Sequence, residues 1–205
     1  MAIQSSIESI SDSDSLEEET WVEVDNTIYG AKPNRLGPIG GAKGYANIIT
    51  NGDYTVKDLD ALLDALSKAE KGQIVFIPGE TEIDLTARIY IEQIVLDVPE
   101  GVTLAGERGN NGSKGALLTS DALKTPVIIR AGGPNVRVTG LRIQGPNPKR
   151  YLDHHRRSFG EGGGGHDYYY KFPTSRGITT KHPRLTVDNC EISAFAHAGI
   201  YLTKG

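Results

Sequence analysis

The sequence predicts an all-β fold of the solenoid kind, a β-solenoid with one amphipathic helix near its N-terminal end. Three observations carry that prediction. Twenty-five Gly and 10 Pro among 205 residues break regular structure too often for a helical bundle. From Gln73 onward the apolar residues come in short β runs bounded by turn formers, without the helix after each strand that a doubly wound α/β sheet needs. The strand pattern also repeats itself along the chain.

Taken in order, residues 1–25 carry eight acids and no base, and six of the first fifteen residues are serine. Such a segment repels itself and has little to bury, so it reads as an acidic, disordered leader. The other 180 residues hold 22 bases against 18 acids, a balance that attracts polyanions, an acidic polysaccharide ahead of nucleic acid. Residues 26–53 read as an irregular Gly- and Pro-rich connection. Val56, Leu59, Leu62, Leu63, Leu66 and Ala69 then recur at helical spacing, with a near capping box at Thr55 and Asp58 and a stop at Gly72. This predicts a helix over 55–71 whose narrow apolar stripe must lie against something. The domain continues over 54–205 in short strands, among them Ile89 to Leu96, Val136 to Val138, Leu141 to Ile143, Leu185 to Val187 and Gly199 to Leu202.

The repeats set the architecture. Val136-Arg-Val-Thr-Gly-Leu-Arg-Ile143 aligns without gaps to Leu185-Thr-Val-Asp-Asn-Cys-Glu-Ile192, with the turn formers Gly140 and Asn189 in register. Gly177-Ile178 recurs 22 residues later as Gly199-Ile200, a spacing that fits one coil, and the first pair falls to the same period if 27 residues of 147–176 are an insertion. Inward Val, Ile and Leu would then form ladders, with Gly or Asn at the bends. An antiparallel sandwich also has short strands but does not predict gapless repeats.

The helix, the run Lys71-Gly72-Gln73-Ile-Val-Phe-Ile-Pro78-Gly79 and the coil patterns above resemble the start of the pectin-lyase-like superfamily of right-handed parallel β-helices. The resemblance covers about residues 54–205. It implies that the helix caps the N-terminal end of the solenoid. It further implies a carbohydrate-active protein, polysaccharide lyase before glycoside hydrolase, in an extracellular or periplasmic setting. Calcium enters through the resemblance alone, and no metal ligand set is readable in the residues. The chain stops at Gly205 directly after a full-strength coil strand, so the expectation is an N-terminal portion whose last coil is covered by further chain or another subunit.

The insertion, 146–176, is expected to be a long structureless loop, and loops of that length usually serve function. Its Arg150, Arg156 and Arg157 suit carboxylates, its Tyr168 and Tyr169 suit stacking on sugars, and His154 and His155 lie beside them. Asp153, His166 and Asp167 complete a set of metal-capable side chains at a spacing that matches no established site. On a uronate the natural chemistry is β-elimination, in which a base removes the proton α to the carboxylate and a cation neutralises the developing charge. The coil-borne candidates are Arg176, His182, His197 and Lys204. Arg176 and His197, beside successive coil strands, are expected to stack.

The sequence also departs from that superfamily. The Arg-x-Pro-x-x-Arg and Trp-x-Asp-His motifs of pectate lyases are absent. Where polygalacturonases carry Asn-Thr-Asp-Gly this chain has Ala196-His197-Ala198-Gly199, so the paired carboxylates of hydrolysis have no visible donor there. A non-catalytic binding module, adhesin or tailspike-type solenoid is therefore the alternative function. One cysteine, Cys190, excludes a disulfide framework and a Cys-based zinc site. No apolar run approaches the ~20 residues of a membrane span, and the N-terminus lacks the regions of a signal peptide.

Overall fold

The computed structural model describes residues 21–30, 48–146, 148–169 and 174–203. The chain divides into two units, Met1–Asn47 and Ile48–Gly205. In the first, β1 (Trp21–Val24) and β2 (Thr27–Gly30) pair antiparallel. Asp25 and Asn26 turn the hairpin with φ of 49° and 61°, the left-handed geometry that matches strand twist. The end of the expected leader is thus a strand rather than disordered chain. Residues 1–20 and 31–47 lie outside the described residues.

The second unit runs β3 (Tyr54–Thr55), α1 (Leu59–Lys68), β4 (Ile74–Phe76), β5 (Glu82–Asp84), α2 (Thr86–Glu92), β6 (Leu96–Val98) and β7 (Thr103–Ala105). A 3-10 turn at Asn110–Gly112 leads to β8 (Leu117–Thr119), β9 (Ile129–Ala131), β10 (Arg137–Thr139) and β11 (Arg142–Gln144). Then come α3 (Pro148–Phe159), α4 (Gly165–Tyr169), β12 (Arg176–Thr180), β13 (Thr186–Asp188), β14 (Glu191–Ser193) and β15 (Ala198–Leu202).

From β4 onward the strands are dealt in rotation to three parallel sheets: β3-β4-β7-β10-β13 (sheet 1), β5-β8-β11-β14 (sheet 2) and β6-β9-β12-β15 (sheet 3). The result is a parallel, solenoid-like stack of four three-strand coils. The register puts like on like. Val75, Leu104, Val138 and Val187 form one inward row, Ile83, Leu118, Ile143 and Ile192 a second, and Leu96, Ile129, Ile178 and Ile200 a third. These are the pairings the gapless repeats require: Val138 on Val187, Ile143 on Ile192 and Ile178 on Ile200. Gly140 and Asn189 sit together at the bend between sheets 1 and 2 with φ of 69° and 50°, and Asn189 Nδ2 donates to the Arg108 carbonyl at 2.8 Å. Cys190, aligned with Leu141, is half-buried against the core, and burial pushes its thiol up to about 12, so it is unreactive near neutrality.

Three expectations are corrected. The first helix begins at Leu59 with Asp58 as its cap, its carboxylate accepting from Ala61 N at 2.9 Å, because Thr55 is committed to pairing with Phe76 in β3. It buries Leu62, Ala65 and Leu66 where it packs on β4 and β6. Second, most of Ile89 to Leu96 is not a strand. Thr86–Glu92 is helical and buries only Ile89, leaving Tyr90 and Ile91 exposed, a one-sided pattern that alternation would not give. Third, the insertion 146–176 is not structureless: α3 and α4 occupy most of its described part. Pro148 starts α3 where its missing N–H costs nothing, and Arg156 and Arg157 fall in the last turn, where the dipole favours them. Asp153 pairs with both at 2.8 Å.

Residues 106–116 leave between β7 and β8, at the corner of sheets 1 and 2, and four other connections share a second location. α2 leaves between β5 and β6, residues 120–128 between β8 and β9, α3 and α4 between β11 and β12, and residues 194–197 between β14 and β15. All are at the corner joining sheet 2 to sheet 3.

Gly140→Ala is expected to destabilise the fold by about 2–4 kcal/mol, since a Cβ there meets the Gly106 carbonyl in a left-handed backbone. Asn189→Gly, which loses only a side-chain hydrogen bond, should cost about 1 kcal/mol. Urea midpoints of the two variants check the order.

Candidate functional site

The corner of sheets 2 and 3 is organised around the last coil. Ala194, with φ of 62°, turns the chain out of β14, and the following residues are pinned from below. Ser175 Oγ accepts from Ala196 N at 2.9 Å and the Ser175 carbonyl accepts from His197 N at 3.0 Å. Phe195 settles over the corner glycines. A Cβ on Gly145 would come within 2.6 Å of its ring, which explains Gly at that position. From above, the Tyr169 hydroxyl donates to the Ala196 carbonyl at 2.5 Å.

On this base Arg176 and His197 are brought together as expected. Arg176 Nε donates to His197 Nδ1 at 2.7 Å, the Arg176 guanidinium carbon lies 4.4 Å from the centre of the Tyr201 ring, and the His197 and Tyr201 rings are 4.9 Å apart. Since Nδ1 accepts, a neutral His197 carries its proton on Nε2. Partial burial first, and the Arg176 charge second, hold His197 below its ordinary value of 6.5. The cluster is a cation, a neutral imidazole with an N–H to offer and an aromatic face.

Tyr201 was not singled out in the sequence, although strand alternation makes it outward once Ile200 is inward. Ser175 left no such signal. The outward row of sheet 3 is Asp97, Arg130, Thr179 and Tyr201, and Arg130 grips Asp97 with two hydrogen bonds, the longer of them 2.6 Å. Beside this row a cleft of about 640 Å³ is lined by Asp97, Arg130, Thr179, Lys181, His182 and Thr203 among others. His182 thus lies at the far end of β12 from Arg176 and is not part of the same cluster. Lys204 lies outside the described residues.

The insertion residues take several roles. His154 stacks on Tyr169 with ring centres 4.8 Å apart and planes 7° from parallel, and its Nε2 is 3.2 Å from the Tyr169 carbonyl oxygen. His155 and His166 pack on Phe159 at 5.1 and 5.2 Å. These rings hold α3 to α4, and Tyr169 ties both to the His197 turn. Tyr168 is 6.5 Å from His154. Arg156 and Arg157 are exposed, and Arg150 falls in the first turn of α3. Beyond the last coil, the exposed large hydrophobics among the described residues are Tyr90, Ile91, Leu123, Leu152 and Phe159, and every one belongs to a segment that leaves the coils at this corner.

Among the described residues no three His, Cys, Asp or Glu side chains gather in the manner of a metal site, and Asp153 is occupied by two arginines. No step is derived through calcium. No helix among them is long and apolar enough to cross a membrane. Compared with known proteins, the chain matches no family model, no curated protein and no solved structure.

His197 is expected to titrate below 6.5, and Arg176→Gln should move it upward by removing the neighbouring charge. The native fold binds this proton less readily than the unfolded chain. Its contribution to stability is therefore present above 6.5 and lost as pH falls from there towards the native value. Imidazole resonances followed by NMR against pH check both.

Proposed function

We propose that the chain is a right-handed parallel β-helix, capped at its N-terminal end by α1, that binds an acidic polysaccharide at the corner of sheets 2 and 3 and cleaves it by β-elimination. Right-handedness follows the general rule for parallel crossovers, which take that hand in about 98% of cases. The observation that carries the function is the Arg176–His197–Tyr201 cluster. Guanidinium pairs with carboxylate through two parallel hydrogen bonds, and a Tyr face suits a sugar ring. The exposed Tyr90, Ile91, Leu123, Leu152 and Phe159 offer further apolar surface at the same corner.

The chemistry follows from the protonation states. A uronate carboxylate arriving at the corner competes with His197 for Arg176. As Arg176 turns to it, Nδ1 of a neutral His197 is released with its lone pair. That nitrogen takes the proton α to the carboxylate, Arg176 neutralises the charge that builds on the carboxylate oxygens, and the glycosidic oxygen leaves from the β carbon with the bonding pair as the double bond forms, taking a proton from solvent water to become a hydroxyl. A depressed His197 is the right state for such a base. A polymer of this kind implies an extracellular or periplasmic setting. Ile200 and Leu202, exposed by 44% and 64% at the ends of otherwise buried rows, fit a further coil or another subunit stacked on the last one.

Incubation with a panel of uronic-acid polysaccharides should give ultraviolet absorbance from the unsaturated product. Arg176→Gln and His197→Ala should each lower the rate by about 10²–10⁴-fold. Binding without absorbance would instead assign the chain as a non-catalytic recognition module.

A further inference from the structure

The cleft at the other end of β12 lies across the same face of sheet 3. Thr179 lines it, and Thr179 is in register with Tyr201, so the outward surface runs on from the Arg176 cluster into the cleft. Its wall presents Arg130, Lys181 and His182 against a single acid, Asp97, which Arg130 already holds with both its oxygens. Lys181 has no ion-pair partner among the described residues and is exposed. Arg184, next along, donates its Nε to the neutral Asn135 side chain at 2.6 Å. The hydroxyl-bearing Thr179 and Thr203 complete the lining.

A volume of about 640 Å³ is within the range of small-molecule sites, roughly 300–1,000 Å³. A polar cleft with surplus positive charge takes an anion rather than an apolar group. Arg176 and Lys181 stand five residues apart on extended chain, or about 17 Å at 3.3 Å per residue.

Resting on the reading of the Arg176 cluster as a carboxylate site, we propose that Lys181 and His182 form a second anion subsite, and that one polyanionic chain lies along β12 with charges on both. The ligand is then a polymer by requirement. A short acidic oligomer reaches one subsite, whereas a chain long enough to span about 17 Å engages both and gains the affinity of an intramolecular second contact, of order a hundredfold or more. His182 belongs to binding rather than to the elimination step.

The test is a length series of oligogalacturonates titrated into the full chain, followed by NMR through the backbone amides of residues 176–182 and of His197. Short oligomers should shift the resonances of Arg176 and His197 alone. Spanning oligomers should also shift Lys181 and His182 and bind at least tenfold more tightly. Lys181→Gln should erase that gain while leaving short-oligomer affinity unchanged, and Lys181→Arg should restore it. A length-dependent gain that survives Lys181→Gln, or no gain with length, would overturn the second subsite and leave the first standing. Failure of every oligomer to shift Arg176 would overturn the carboxylate reading, and the second subsite with it.

Discussion

Everything in the second unit depends on one constraint: each coil must close on the next in a fixed parallel register, so that an inward side chain lands on its counterpart one coil away. Three-residue strands are too short to be stable alone. They persist because a strand such as β7 is hydrogen-bonded to coils on both sides, to β4 and to β10, and because the three inward rows close into a single core. The bends pay for this regularity with special backbone, Gly at 140 and Asn at 189. A one-residue slip in any strand would turn its row outward.

The same constraint decides where function can reside. Strands cannot lengthen without breaking the ladder, so extra chain must leave at a corner: residues 106–116 leave between sheets 1 and 2, and every coil adds chain between sheets 2 and 3. That corner therefore accumulates what the coils cannot hold: a helix with an exposed Tyr and Ile, a helix pair glued by His and Tyr rings, and the turn that carries His197. The rings of His154 and Tyr169 look from composition like ligand-facing groups. Their stacking instead makes them the brace that positions Ala196, and through it His197.

What the sequence made legible was periodic. Gapless repeats give register, and register gives the pairing of Ile178 with Ile200 and the nearness of Arg176 to His197. What escaped was aperiodic. The helix at Thr86–Glu92 hides inside an apolar run because its single buried residue leaves no stripe. The insertion helix shows no apolar face either: among its described side chains the buried one is Ser158, bonded to the His154 carbonyl at 2.8 Å. His182 stands among the coil-borne candidates with Arg176, and β12 places the two at its opposite ends, a distinction that needs strand limits the sequence does not mark.

The charge pattern on sheet 3 then follows from packing rather than from composition. Most inward positions are apolar, buried Thr180 excepted, so Asp97, Arg130, Thr179 and Tyr201 fall on one outer row. Arg130 and Asp97 meet there simply by being in register, and neutralise each other. The positive charge that remains is carried at the two ends of β12, by Arg176 on one side and Lys181 on the other, where the coil turns and the ladder no longer dictates the residue type. On this sheet a polyanion meets two holds, Arg176 and Lys181, with a span between them that has the length of a single strand.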